Sequence, residues 1–154
     1  MDTEESTLKE AKAFLNSNYE KGTQCPCCNQ LVKLYKRKLN SGMARTLIEL
    51  YKCGDRFIHV KNHLREQQLN NTHDFTLLRY WGLITAPDEE STGQASGLWK
   101  ITEKGQKFCR GEIVVNRHVL IVVNRHLGFS DEKTTIQDSL GSRFKYNELM
   151  KELC

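Results

Sequence analysis

Three of the chain's six cysteines fall within four residues, Cys25-Pro26-Cys27-Cys28. Two thiolates at C-x-x-C spacing suit a zinc knuckle, in which the amides of a tight turn point at sulfur and both side chains reach one tetrahedral ion. A structural zinc takes four ligands, and the sequence holds no second C-x-x-C. Cys25 and Cys28 therefore stand as half of a zinc site, with Cys27, Cys53, His59 and His63 as candidates to complete it. His59 and His63 have H-x3-H spacing, but 30 residues separate Cys28 from His59, against about 12 to 15 in the standard finger. The competing chemistry is thiol–disulfide exchange, since a C-P-x-C at a helix N-terminus lowers a thiol pKa. Redox folds of that kind place the motif after a strand within parallel βαβ units, which this pattern lacks. The plain alternative is three thiols with no role.

Other catalytic signatures are absent: no Walker glycine loop, no G-x-G-x-x-G after a strand, no G-x-S-x-G and no H-E-x-x-H. His118 and His126 are spaced by a repeat, IVVNRHVL at 113–120 and IVVNRHLG at 121–128. Two units are too few for a solenoid. The repeat reads as one or two β-strands or a hairpin, with both histidines in solvent. The pattern points to a protein that binds rather than catalyses.

Charge is distributed unevenly. The net charge is +4, but residues 30–65 hold nine basic against two acidic side chains, while 66–154 hold 11 against 12. Lys33, Lys36, Arg37, Lys38, Arg45, Lys52, Arg56, Lys61 and Arg65 would attract a polyanion if they shared a face. Otherwise they are a solvated surface.

At 154 residues with 38% hydrophobic and 27% charged content, the chain suits one soluble unit that buries roughly 70% of its unfolded surface without disulfide staples. The longest apolar run, Val119–Val123, is far short of a membrane span. The acidic N-terminus is unlike a signal peptide. A cytoplasmic location and reduced cysteines are the expectation.

The elements that would position these residues read as follows. A helix spans Ser6 to Tyr19 with Leu8, Ala11, Phe14 and Leu15 on one face. Leu31 to Leu39 fits strand or helix. Asn40 or Ser41 caps a helix through Ala44, Leu47, Ile48 and Tyr51, ended by Gly54. Phe57–Val60 is a strand, Lys61–Leu69 a helix and Asn70–Thr72 a turn. His73–Trp81 is a short helix built on Phe75, Leu78 and Trp81, followed by a strand at Leu83–Thr85. A polar loop at 87–97 leads to an alternating strand Gly97–Thr102 and a helix Glu103–Arg110 capped by Thr102. The tail reads as a turn at 130–132, a strand at Thr134–Gln137 and a final helix containing Tyr146, Leu149 and Met150.

LLRYWGLI at 77–84, followed after the polar loop by GLWKITEKGQKF at 97–108, resembles winged-helix domains over roughly residues 41–110. The layout, with CPCC ahead and a β-rich tail behind, also resembles a family of small uncharacterised bacteriophage and prophage proteins, which would place the chain in a host bacterial cytoplasm. The winged-helix resemblance implies double-stranded DNA as partner, with the helix at 73–81 in the major groove and the hairpin on the flanking backbone. Thr76, Arg79 and Tyr80 would then face outward, Arg79 donating two bonds to guanine. Lys36, Arg37, Lys38 and Arg45 would supply phosphate attraction. Asp88, Glu89 and Glu90 in the wing would repel phosphates, which leaves a protein-binding module on a winged-helix scaffold as the alternative. A homodimer reading two half-sites follows by the same analogy.

The resulting expectation is an α+β protein: a winged helix-turn-helix core at 40–112, an N-terminal helix and cysteine knuckle at 1–39, and a β-rich extension at 113–154, packed as one compact unit.

Overall fold

The computed structural model describes residues 7–69, 73–87, 97–123 and 125–151. In chain order the first elements are α1 (Leu8–Asn18), β1 (Thr23–Gln24), β2 (Leu31–Val32), β3 (Leu34–Lys38), α2 (Ser41–Cys53), β4 (Ile58–His59) and α3 (Val60–Glu66). There follow a 3-10 helix (His73–Trp81), β5 (Ile84–Thr85), β6 (Leu98–Ile101) and α4 (Glu103–Cys109). The last are β7 (Val115–Asn116), β8 (His118–Val122), β9 (Arg125–Phe129), β10 (Lys133–Thr134), α5 (Ile136–Leu140) and α6 (Tyr146–Lys151). The chain is α+β, with small antiparallel sheets among its helices. Among the described residues no helix is long and apolar enough to cross a membrane.

These elements form two compact units, one of residues 1–37 with 118–130, the other of 38–117 with 131–154. In the first, α1 starts at a capping box: Thr7 Oγ1 accepts from the Glu10 amide at 3.1 Å, and the Glu10 carboxylate reaches back to the Thr7 amide. Two of the four orphan amides at the helix start are thus satisfied. β1 and β2 pair antiparallel, Thr23 opposite Val32. The segment that fits either strand or helix in the sequence, Leu31 to Leu39, is strand: β3 joins the sheet β3-β8-β9.

The two octads fold differently. In the first, Val115 and Asn116 form β7, and β8 begins at His118. In the second, Val122 ends β8 and Val123 follows it in the left-handed region at φ 48°. A β-branched residue is rarely found there.

The second unit is organised around α2, whose N-cap Asn40 accepts from the Met43 amide at 2.9 Å and which ends at Gly54. α2 packs against the 3-10 helix, α4, α5 and β6. Its Met43, Leu47, Ile48 and Leu50 are buried, each such side chain contributing about 1.5–3 kcal/mol by leaving water. The 3-10 helix explains its own sequence. Phe75, Leu78 and Trp81 recur every third residue and are all buried, which is the stripe of a three-residue turn, where i and i+3 eclipse. Phe75 meets Trp99 edge to face at 6.4 Å, and Trp81 Nε1 donates to the Asn116 carbonyl at 2.7 Å.

The three-stranded sheet of this unit has the order β4-β6-β5, all antiparallel, Ile58 opposite Trp99 and Ile84 opposite Ile101. α4 is held close to β5: a Cβ at Gly105 would press into the Leu83 carbonyl and stand 2.6 Å from Ile101 Cγ1. In the tail, the strand expected over Thr134–Gln137 stops at Thr134. The Thr135 hydroxyl accepts from the Asp138 amide at 3.0 Å and starts α5 instead, as an N-cap threonine does.

Candidate functional site

The cysteine motif occupies the tip of the β1–β2 hairpin. The turn is closed by Cys25 N donating to the Gln30 carbonyl at 2.8 Å and Asn29 N donating to the Cys25 carbonyl at 2.9 Å. Pro26 is buried inside the turn, where its fixed φ suits a tight bend, and Asn29 exits it at φ 62°. The Cys27 amide, and after it the Cys28 amide, donate to Cys25 sulfur and hold that thiol below its ordinary pKa. Cys25 and Cys28 face one groove of about 550 Å³, on which Lys12, Tyr19, Val122 and Arg125 also border. Cys27 does not line that groove; it is exposed, as is Cys28.

The other ligand candidates lie in the second unit. His59 is the N-cap of α3, its Nδ1 accepting from the Asn62 amide at 3.2 Å while its Nε2 lies over Gly97. His63 Nε2 is 3.9 Å from Cys53 Sγ and 3.5 Å from Glu49 Oε2. Cys53 and Glu49 thus address the same ring nitrogen. A nucleophile–base–orienter relay needs the two groups on opposite nitrogens. Among the described residues no group of three or more His, Cys, Asp and Glu side chains converges to hold a metal ion. Cys109 is buried, which pushes its thiol pKa up, and Cys154 lies outside the described residues.

Glu49 is the residue that sequence reasoning passed over. It is buried, and its Oε1 lies 3.2 Å from Arg45 Nη1 and 3.3 Å from Lys52 Nζ. The signal was present, a carboxylate at i+4 from Arg45 and i−3 from Lys52 on the buried face of α2. Two cations of the basic stretch are consequently engaged inside the unit. Arg45 Nη1 is itself buried without an aligned hydrogen-bond acceptor, and its guanidinium sits 5.9 Å from the Phe144 ring.

Lys36, Arg37 and Lys38 lie exposed along β3. On one face of that strand Tyr35 and Arg37 recur with period two; Tyr35 is exposed, and Lys33, just before the strand, brings its Nζ to 6.0 Å from the Tyr35 ring. Tyr35 was also passed over in the sequence, although an aromatic among cations is a stacking signal. On the 3-10 helix, Thr76, Arg79 and Tyr80 are half-buried, outside the Phe75–Leu78–Trp81 stripe. Arg79 donates to the Tyr80 hydroxyl at 3.0 Å, lies 4.6 Å from that ring and reaches the Thr76 carbonyl at 3.4 Å. Asp88, Glu89 and Glu90 lie outside the described residues. His118 bonds to Ser130 through its amide at 3.2 Å, and His126 stacks edge-on against Phe129.

Compared with protein-family models, curated proteins and solved structures, the chain matches none.

Proposed function

We propose that residues 40–112 build a winged-helix domain and that the protein acts by binding double-stranded DNA rather than by catalysis. The observation that carries this reading is the element order α2, β4, α3, 3-10 helix, β5, β6 with the sheet ordered β4-β6-β5. In that order α2, α3 and the 3-10 helix supply the helices of the proposed fold, and the antiparallel pair β5–β6 supplies its strands. The 3-10 helix buries one stripe and leaves Thr76, Arg79 and Tyr80 off it, the disposition a groove-reading helix needs. Arg79, already oriented by Tyr80, contributes a preordered guanidinium for a guanine edge. Lys36, Arg37 and Lys38 supply exposed positive charge for phosphates.

The test is fluorescence anisotropy of a labelled random duplex at about 50 and 200 mM salt. Contact with about six phosphates gives a log K against log salt slope near −5, roughly a thousandfold loss across that range. Absence of binding at the lower salt overturns the reading.

One observation favours a second reading, a protein-binding module on the same scaffold. Arg45 and Lys52 are drawn onto Glu49, and Arg79 onto Tyr80, so three cations of the DNA reading have partners within the chain. A stable protein partner recovered by a chain that ignores duplex at low salt supports it.

A further inference from the structure

We propose that the cavity between α2, the end of α3 and the α5–α6 connection binds a small phosphomonoester, its phosphoryl group on Arg45 and Arg143 and its organic body on Leu64, Leu69 and Phe144.

Three segments of the second unit supply the walls. α3 stops there in a Schellman turn: Leu69 N donates to the Leu64 carbonyl at 2.8 Å, and Gln68 N to the Arg65 carbonyl at 3.0 Å. The turn sets both leucines at the cavity wall and holds Gln68 at φ 58°, the left-handed position that glycine ordinarily fills. A glutamine in that place carries backbone strain, and it lends the rim an amide that glycine would not supply. The space enclosed is about 300 Å³, at the small end of the range for ligand pockets.

Charge selects the ligand. Arg45 of α2 and Arg143 of the α5–α6 connection lie 5.9 and 5.5 Å from the same Phe144 ring. No carboxylate borders the cavity. Glu49 approaches Arg45 from within the unit and is shared with Lys52, and Arg45 Nη1 stays buried without an aligned acceptor. Among the described residues no carboxylate pairs with Arg143. Buried charge is ordinarily paired, so two guanidiniums gathered on one ring favour an anion between them.

The donors select the kind of anion. The Thr46 hydroxyl, also at the wall, donates to the Gly42 carbonyl at 3.0 Å, which leaves the two guanidiniums and the Gln68 amide. A carboxylate offers two coplanar oxygens, a match for one guanidinium fork. A phosphomonoester offers three oxygens and a charge near −2, enough for both forks. A DNA diester carries one charge and two free oxygens, so it answers the same donors less fully. The inference does not rest on the DNA reading, which places no phosphate in this cavity.

The test titrates the full chain with phenyl phosphate, inorganic phosphate and phenol, reading affinity by calorimetry and location by NMR shifts. Phenyl phosphate should saturate at about 1 mM or below, inorganic phosphate should bind more weakly for want of a body, and phenol should not bind. The shifts should centre on Leu64, Gln68, Leu69 and Phe144. Arg143→Gln should weaken phenyl phosphate about tenfold or more, as loss of a charge-assisted bond does. Arg143 is exposed and its only contact among the described residues is the Phe144 ring, so this variant keeps its fold. A duplex without terminal phosphates should leave the phenyl phosphate affinity unchanged. No saturation up to about 10 mM, shifts centred elsewhere, equal affinity in Arg143→Gln, or displacement by the duplex each overturns the proposal. The last would make the cavity a DNA contact, whereas failure of duplex binding alone leaves every other arm readable.

Discussion

Glu49 and Lys52 meet at 3.3 Å with side chains only 8% and 7% exposed, one turn apart on α2. The carboxylate also faces Arg45 and His63, so removing it leaves positive charge buried beside an apolar core. Glu49→Ala should destabilise the fold by about 3–5 kcal/mol, the cost of orphaning a buried ion. Glu49→Met with Lys52→Met should recover part of that loss. Urea denaturation followed by tryptophan fluorescence measures both, and a cost under about 1 kcal/mol for Glu49→Ala would mean that water reaches the cluster.

Gly105 lies inside α4, where alanine is ordinarily better than glycine by about 1 kcal/mol. Here the sign should reverse. A methyl group there meets the Leu83 carbonyl and Ile101, and overpacking of that kind costs about 1–3 kcal/mol. A lowered thermal midpoint for Gly105→Ala is the expected outcome; a raised one would show that α4 can move off β5.

The cysteines should differ in reactivity with a known sign. The Cys27 and Cys28 amides lower the Cys25 pKa, and burial raises that of Cys109. The thiolate is the nucleophile, so in the metal-free native chain Cys25 alkylates with its pH midpoint below that of an ordinary thiol. Cys109 reacts last, becoming accessible on unfolding. Peptide mapping after timed iodoacetamide exposure reads the order, and equal rates for the two would contradict the geometry of the turn.

If duplex is bound through β3, neutralising Lys36, Arg37 and Lys38 together should flatten the salt slope by about 3 for three lost phosphate contacts. Arg79→Ala should leave the slope nearly unchanged and relax preference at one base position. An unaltered slope in the triple variant would remove β3 from the interface.

The duplicated octad offers a paired experiment. Val115 and Val123 hold the same place in the two copies, yet Val115 is buried in β7 opposite Thr134 while Val123 is exposed at φ 48°. The left-handed region costs an L-residue roughly 1–2 kcal/mol, and asparagine tolerates it best after glycine. Val123→Asn should therefore stabilise by about 1 kcal/mol. Val115→Asn should destabilise by about 2 kcal/mol or more, because it buries an amide in place of a methyl pair.

That pair also marks where local pattern stops being informative. Periodicity placed α1 to within two residues, and α2 and α4 followed from their start signals in Asn40 and Thr102, while the Thr7 cap of α1 is seen only in the structure. Identical letters in the octads could not say which copy turns. That choice belongs to pairing partners, β10 for one copy and β8 with β9 for the other. The three-residue stripe of Phe75, Leu78 and Trp81 was legible, although its period marks a 3-10 turn rather than an α-helix. Glu49 was not, since an acid on an amphipathic helix is ordinarily assigned to solvent, and its contact with His63 of α3 is not visible in the sequence.

The interleaving of the two units sets an order of events during synthesis. The cysteine hairpin emerges early, but β3 cannot pair with β8 until residues 38–117 have been made and β8 follows. At roughly 5–20 residues per second that delay is of order 4–16 s. Through that interval the thiols of the hairpin are displayed on a nascent chain whose β3-β8-β9 sheet does not yet exist.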